Sequence, residues 1–554
     1  KIELLREQID TSNSCDPMSP LKKKIISTKF KFKHVTEDVV WKKIHSLKNK
    51  GSSGADTITA KVIKDAGAIV LTPITTIINE SLRTGVFPDA WKEAEVVPIL
   101  KKGVSTDKKN FRPVSLLSVV SKILEMIVQE QLSDYFETNG LLPTEQHGFR
   151  KKRSTTSALL SICGKISCLR RENVQVALAS YDLSAAFDCI DATILDKKLE
   201  HYGLDALSRN WIASFLSNRR QFVRIGTARS ATVQLGVGSP QGSIISPLIF
   251  IIYMADMGEW ISDGAAFSYA DDTAAIASGQ TKEIAVQKLE STSIELLQFF
   301  AANRLVANAT KTQLLVFRSP RCVDSRNHAM HIDGAVVCEA DSIHLLGVTI
   351  SADLSWMAQF NTITSAIRST NGLLSRLSNY TASTHLTPLI HGLQLSKARY
   401  ALPLFCDIRL SENDSTSATM HQVQVQLNKG LRTVLGTTIA DRVPVRDLVN
   451  QVGVPTFNQL AAETTLMDIW RHFNYGLPAS QYLLPVEKYV EQGRTTRRTG
   501  KGLMATMLRD DFGAARFFQQ GSRLWNEAPQ ELRDETIETK AKKIIREFTR
   551  TLPL

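Results

Sequence analysis

Tyr269-Ala270-Asp271-Asp272 sets two carboxylates side by side between short apolar segments, residues 265–268 before and 273–277 after. Neither flank contains Pro, and both read as strands of a tight hairpin. Adjacent carboxylates in a half-buried turn repel, which raises at least one pKa unless a cation joins them. A hard divalent ion such as Mg²⁺ supplies that cation, since it takes carboxylate oxygens together with substrate phosphates. An isolated Asp-Asp pair is more often an ordinary polar turn, so the reading rests on a third carboxylate far upstream. Residues 173–181 read as a mostly apolar strand with Asp182 at its exit, and Phe187 and Asp188 follow. A carboxylate at a strand end beside a hairpin carrying two more would build a two-metal site. Such a site activates a 3′-hydroxyl and steadies a departing pyrophosphate during in-line phosphoryl transfer. Asp188 is read as a cap of the following turn.

The elements that must hold these groups can be read around them. A helix is expected from about 192 to 202, with Ile194, Leu195, Leu199 and Tyr202 on one face, Asp191 as N-cap and Gly203 as stop. Residues 247–257 are apolar but short and fit another helix. Val39, Val40, Ile44 and Leu47 form an apolar stripe after Thr36, a candidate cap. From about 356 to 460 helical spacing dominates, as in Ile363, Ile367, Leu374 and Leu377. At 554 residues the chain exceeds one core, and three or four subdomains are expected. Hydrophobic content of 43% and charged content of 22% are ordinary for a folded protein.

A net charge of +12 suits a polyanionic partner. Its distribution sharpens the point. Lys22, Lys23, Lys24, Lys29, Lys31 and Lys33 form one basic run with Phe30 and Phe32 interleaved, Arg219, Arg220 and Arg224 a second, and Arg494, Arg497, Arg498 and Lys501 a third. Each could be a solvated face, the commoner outcome for a lone charge run; in a chain that handles nucleic acid the three would suit template and primer contacts. Seven cysteines form neither a CxxC pair nor a Cys-His cluster, so zinc is not expected and free thiols in a reducing compartment are. No run reaches ~20 apolar residues and the sequence shows no signal peptide, so an intracellular protein of cytoplasm and nucleus with no membrane partner is expected.

The motifs, taken in order, resemble those of the reverse transcriptases of non-LTR retrotransposons, of the LINE-type, jockey-like kind. Residues 50–56 look like the segment upstream of that family's fingers. Residues 97–103 and 110–117 resemble its first fingers motif, and residues 146–150 with Arg153, Ser154 and Thr155 its second. Residues 181–188 are similar to the palm motif bearing the first metal ligand, and Ser239-Pro240-Gln241-Gly242-Ser243 to the motif beneath the templating base pair. Residues 269–272 resemble the metal hairpin, residues 308–312 the last palm motif and residues 344–348 the primer grip. Each alone is weak; eight in collinear order are not coincidence. The long basic lead-in and the spacing from Gln146 through Thr155 set the chain apart from intron- and retron-type enzymes.

The resemblance implies an α+β right-hand polymerase: fingers, a palm with an antiparallel sheet, a helical thumb, a helical N-terminal extension and a C-terminal helical region. The boundaries expected are a basic extension over 1–90, fingers and palm over 91–355, thumb over 356–460 and a C-terminal region over 461–554. It implies RNA-directed DNA polymerisation, extending a primer 3′-hydroxyl with dNTPs on template RNA. Two Mg²⁺ ions, or Mn²⁺ in their place, would be held by Asp182, Asp271 and Asp272. Phe187 would act as a gate against the 2′-hydroxyl of an incoming sugar, Gln241 would contact the nucleotide, Lys311 would lie near the pyrophosphate, and Arg112 and Arg150 would grip the triphosphate. Lys101, Lys102, Arg219 and Arg220 would bind nucleic acid. A DNA primer or target is implied as partner, with nicking supplied by sequence not included or by another protein. The alternative is a catalytically silent nucleic-acid-binding protein of the same fold. Retention of the acidic trio with Phe187, Gln241 and Lys311 argues for the enzyme, since clustered carboxylates facing a phosphate backbone repel it without metal.

Overall fold

The computed structural model describes residues 15–21, 29–49, 51–101, 104, 106–107, 110–172, 174–308, 311–318, 328–414, 417–483, 503 and 516–553. The chain forms two compact units interleaved in sequence. The first takes residues 1–149, 181–262 and 293–311, the second residues 150–180, 263–292 and 312–554.

The first unit combines helices with a five-stranded sheet. Strand Glu93–Leu100 pairs antiparallel with Phe111–Leu116 and parallel with Arg219–Ile225, which also pairs with Ala228–Arg229 and Val233–Leu235. Helix Val119–Thr138 buries Ile123, Leu124, Ile127, Val128, Leu132 and Phe136 at three- and four-residue spacing, the stripe of a helix laid on a core. Helix Ala192–His201 follows the expectation closely. Asp191 accepts hydrogen bonds from the amides of Thr193 and Ile194, and Ile194, Leu195, Leu199 and Tyr202 are buried. Lys198 on the same helix is fully buried too. Its Nζ lies 2.5 Å from Asp256 Oδ1 and donates to the Tyr253 carbonyl at 2.7 Å, fastening this helix to the end of helix Ser246–Tyr253. Helix Glu37–Ser46 buries Val40 and Ile44, but Thr36 at its N-cap makes no side-chain cap bond.

Phe30 and Phe32 correct the reading of the first basic run. Both rings are buried, Phe30 5.1 Å from Tyr135 and Phe32 5.6 Å from Trp211, while Lys29, Lys31 and Lys33 face outward. Alternation along this extended segment splits it into a core face and a charged face, so the aromatics are not free to stack on bases. Lys22, Lys23 and Lys24 lie outside the described residues, as do Arg494, Arg497, Arg498 and Lys501. One helical stretch, residues 60–84, is long and apolar enough by composition to cross a membrane, which the sequence reading overlooked. It is built from helix Ala60–Ala66, a 3₁₀ turn and helix Leu71–Thr84, whose Ile74, Ile78 and Leu82 are buried.

The second unit is centred on a four-stranded sheet with helices. The order is Ala265–Tyr269, Asp272–Gly279, Gln175–Tyr181, Gln313–Val316. Strand Gln175–Tyr181 is buried along nearly its whole length, as an inner strand requires, and pairs antiparallel with Gln313–Val316. Helix Thr155–Arg171 starts at a capping box in which Ser154 and Ser157 bond reciprocally. Helix Met357–Leu377 buries Phe360, Ile363, Ile367 and Leu374, with Leu377 only partly covered. One apolar cluster runs from Leu159 and Val176 through Ile363 and Leu427 to Trp470, Trp525 and Ile545. The segment around residues 521–526 is thus part of this core, with Asn526 exchanging two hydrogen bonds with the Leu503 backbone.

Candidate active site

In the first unit, Asp182 follows the inner strand directly. The Asp182 carbonyl accepts from the amide of Asn308 at 2.8 Å, and the amide of Ser184 donates to the Val306 carbonyl at 2.8 Å; Leu183 and Ala307 form an antiparallel bridge between these bonds. This ladder carries Lys311 to Asp182, whose Oδ2 lies 2.7 Å from the ammonium. Both side chains are half-exposed, at 43% and 61%, so the pair is open to ligand and of small worth to stability. Two residues expected to serve one reaction from positions 129 apart are therefore in contact.

Ala185 then takes a left-handed φ of 53°, and a 3₁₀ turn over Ala186–Cys189 carries Phe187. The Phe187 ring lies 4.7 Å from that of Phe250 and 6.0 Å from that of Phe149, and is partly exposed. The loop bearing Gln241 is bound to this turn: Ser239 N–H donates to the Phe187 carbonyl and Gly238 N–H to the Ile190 carbonyl. Gln241 Nε2 donates to both carboxylate oxygens of Asp188, at 3.1 and 3.2 Å. Asp188 is therefore more than a turn cap; it holds the Gln241 amide. The Gln241 carbonyl accepts from Ser115 N–H at 2.7 Å, tying the loop to the strand that carries Arg112. Gly242 makes this approach possible. Its φ is 130°, and a Cβ there would stand 2.4 Å from the Ser115 carbonyl oxygen.

Glu125 anchors the far side of the same loop and was not foreseen. It is fully buried on an apolar helix and accepts from Ser243 Oγ at 2.6 Å and from Ile244 N–H at 2.7 Å. Burial pushes its carboxyl above the ordinary range, opposed by these two bonds. A single acidic residue among Ile123, Leu124, Ile127 and Val128 gives no signal in sequence beyond its misfit to the apolar stripe.

In the second unit the hairpin is as expected. Strands Ala265–Tyr269 and Asp272–Gly279 pair in register, Tyr269 against Asp272, leaving Ala270 and Asp271 as the two-residue connection. Ala270 has a φ of 61°, a left-handed position that costs a non-glycine residue about 1 kcal/mol. Asp271 is partly exposed and Asp272 exposed, whereas Thr273 behind them is buried. Among the described residues, no group of three or more His, Cys, Asp or Glu side chains stands close enough to hold a metal ion.

The remaining candidates divide. Arg112 is exposed on its strand, Lys101 is exposed with its amide on the Asn110 carbonyl, and Arg150 is partly buried. Lys102 lies outside the described residues. Arg220 is exposed beside Glu93, at 3.7 Å. Arg219 contradicts its assignment as a nucleic-acid contact. It is 2% exposed, donates to the Phe215 carbonyl and stacks over the Phe215 and Phe87 rings. Strand alternation turns Arg219 inward and Arg220 outward.

Comparison with known proteins bears on the same region. The family model for reverse transcriptase (RNA-dependent DNA polymerase) matches residues 99–350, which enclose Asp182, Phe187, Gln241, Asp271, Asp272 and Lys311. The chain is similar to the probable RNA-directed DNA polymerase from transposon BS of Drosophila melanogaster, 26% identical over 327 residues, 56% of this chain and 35% of that protein. It is also similar to the RNA-directed DNA polymerase from mobile element jockey of the same organism, 25% identical over 441 residues, 76% of this chain and 46% of that protein. The chain thus spans less than half the length of these curated relatives. Among solved structures, apo telomerase from Candida Tropicalis truncated from its C-terminal domain matches 53% of this chain and 59% of that one, at 13% identity and a TM-score of 0.32. Residues 99–350 thus match a reverse transcriptase domain, and the chain around them is similar to the RNA-directed DNA polymerases of transposon BS and mobile element jockey.

Proposed function

We propose that this chain copies template RNA into DNA by adding dNTPs to a primer 3′-hydroxyl, as part of a non-LTR retrotransposon protein. The observation that carries the reading is the Asp182–Lys311 pair at 2.7 Å inside the matched domain, a carboxylate and an ammonium held open to ligand by a ladder of backbone bonds. Asp182, Asp271 and Asp272 are the residues that would hold divalent ions. They offer carboxylate oxygens and no thiolate or imidazole, which suits hard ions, Mg²⁺ before Mn²⁺. Such ions, when bound, lower the pKa of the primer hydroxyl and neutralise the leaving pyrophosphate.

The chain's own residues supply the rest. Lys311 keeps a positive charge beside Asp182, where it stabilises charge developing on the transferred phosphate or donates a proton to the leaving group. Phe187 blocks a 2′-hydroxyl and packs on a deoxyribose. Gln241, its amide oriented by Asp188, lies against the nascent base pair, and Gly242 lets backbone approach it closely. Arg112 and Arg150 grip phosphates through paired N–H donors. Residues 356–460 act as the thumb on the product duplex. The primer is a nicked chromosomal target, which requires an endonuclease and places the working protein in the nucleus. The test is primer extension on poly-rA/oligo-dT with Mg²⁺. Incorporation of dTTP supports the reading; binding of the primer–template without incorporation favours the silent nucleic-acid-binding protein.

A further inference from the structure

Cationic side chains that polymerisation leaves unused collect on helices beyond the matched domain. A cavity of about 500 Å³ is lined by His391, Arg399, Arg446, Arg546 and Arg550, with Glu463 as its one carboxylate. A second cavity, of about 340 Å³, shares Arg399, Glu463 and Arg546 with the first and adds Arg471 and Lys542. Ser154 and Thr156, at the N-terminal end of helix Thr155–Arg171, complete its wall. All of these residues belong to the second unit.

The charge is concentrated and only partly compensated. Glu463 serves both Arg399, at 3.6 Å, and Arg546, at 3.2 Å, so one carboxylate orients two guanidinium groups at the shared wall without cancelling them. Arg471 and Lys542 each lie 2.8 Å from Glu538, and Asp468 stands 3.7 Å from Arg471. Arg446 and Arg550 are exposed and have no carboxylate partner among the described residues. Like charges held together at a concave surface raise the local potential and attract a polyanion. The positive end of the helix dipole at Ser154 adds to it.

We infer that this paired recess binds the phosphate backbone of a single-stranded nucleic acid, through side chains other than those assigned to catalysis and nucleotide binding. Cavities of this size take roughly one or two nucleotide units each and not the face of a duplex. Among the described residues neither is lined by Phe, Tyr or Trp, so binding rests on phosphates without base stacking and is indifferent to sequence. The site would hold the RNA strand by its phosphates alone.

The test uses the full chain and a double variant, Arg546→Gln with Arg550→Gln, both exposed cavity residues outside the thumb segment and outside the residues assigned to catalysis. Fluorescence anisotropy measures affinity for a 30-nucleotide single-stranded RNA, for duplex DNA and for inorganic triphosphate across a KCl series. Each lost phosphate contact lowers the slope of log affinity against log salt by about 0.7 on a single strand. The double variant is expected to lose about 1.4 in that slope and at least about tenfold in RNA affinity. Duplex affinity should stay unchanged, and triphosphate should compete only weakly. Lys543→Gln, on helix Glu538–Thr549 with Arg546 but in the lining of neither cavity, should match the parent. An unchanged slope in the double variant, or an equal loss on duplex DNA, overturns the proposal. Because the readout is binding, a chain that never polymerises can still pass this test, and an active polymerase can fail it.

Discussion

At the scale of single residues, Asp188 and Gly242 show how a loop with no regular structure is held in place. Asp188 grips the Gln241 amide with both oxygens, and Gly242 meets the Ser115 carbonyl so closely that no side chain fits. Gly242→Ala is expected to cost ~1–3 kcal/mol, measured as a shift in the urea midpoint at unchanged slope. Phe187 carries the argument about sugar choice. Its ring is backed by Phe250 at 4.7 Å and cannot retreat without disturbing a buried helix. Phe187→Val is expected to admit ribonucleotides, lowering discrimination between dNTP and rNTP by roughly tenfold or more in single-nucleotide extension kinetics. Unchanged discrimination would refute the gate.

At the scale of elements, a buried ion pair and a buried imidazole make testable demands. Lys198 and Asp256 are both fully enclosed, and burial pulls the ammonium's pKa down and pushes the carboxyl's up despite their mutual attraction. Lys198→Met strands the Asp256 charge and should cost ~3–5 kcal/mol, whereas Lys198→Met with Asp256→Leu should recover most of it; urea denaturation of both variants decides. On helix Phe457–Tyr475, His472 is 1% exposed, its Nδ1 lies 2.6 Å from the Asp468 carbonyl, and its Nε2 has no hydrogen-bond partner among the described residues. Burial holds its pKa down to about 4, with Arg471 adding to the effect. Below about pH 6.5 the unfolded chain takes up a proton that the folded chain refuses, so stability falls as pH drops and the loss is complete near pH 4. The contribution is ~3 kcal/mol. His472→Gln should remove that part of the pH dependence, seen as parent and variant stability curves that converge toward acid.

At the scale of the whole molecule, what could be read from sequence was whatever the local pattern dictates. The hairpin at residues 269–272, the Asp191 cap and the stripe of helix Ala192–His201 follow from alternation, capping chemistry and 3.6-residue spacing, and all are present. The contacts that link distant segments could not be read so. Glu125 and Lys198 are charges on apolar helix faces, and only packing shows that one receives a loop and the other an aspartate. Arg219 and Arg220 are identical in sequence terms; strand alternation alone decides that the first is buried. The Asp182–Lys311 pair likewise needs the 306–308 ladder, which joins residues far apart in the chain. The central claim is that Asp182, Asp271 and Asp272 carry phosphoryl transfer within residues 99–350. Its most direct test is single-turnover extension of oligo-dT on poly-rA with Mg²⁺, comparing parent with Asp271→Ala at matched primer–template occupancy. The account predicts incorporation by the parent and none above the enzyme-free background by the variant. Equal rates in the two proteins would contradict it.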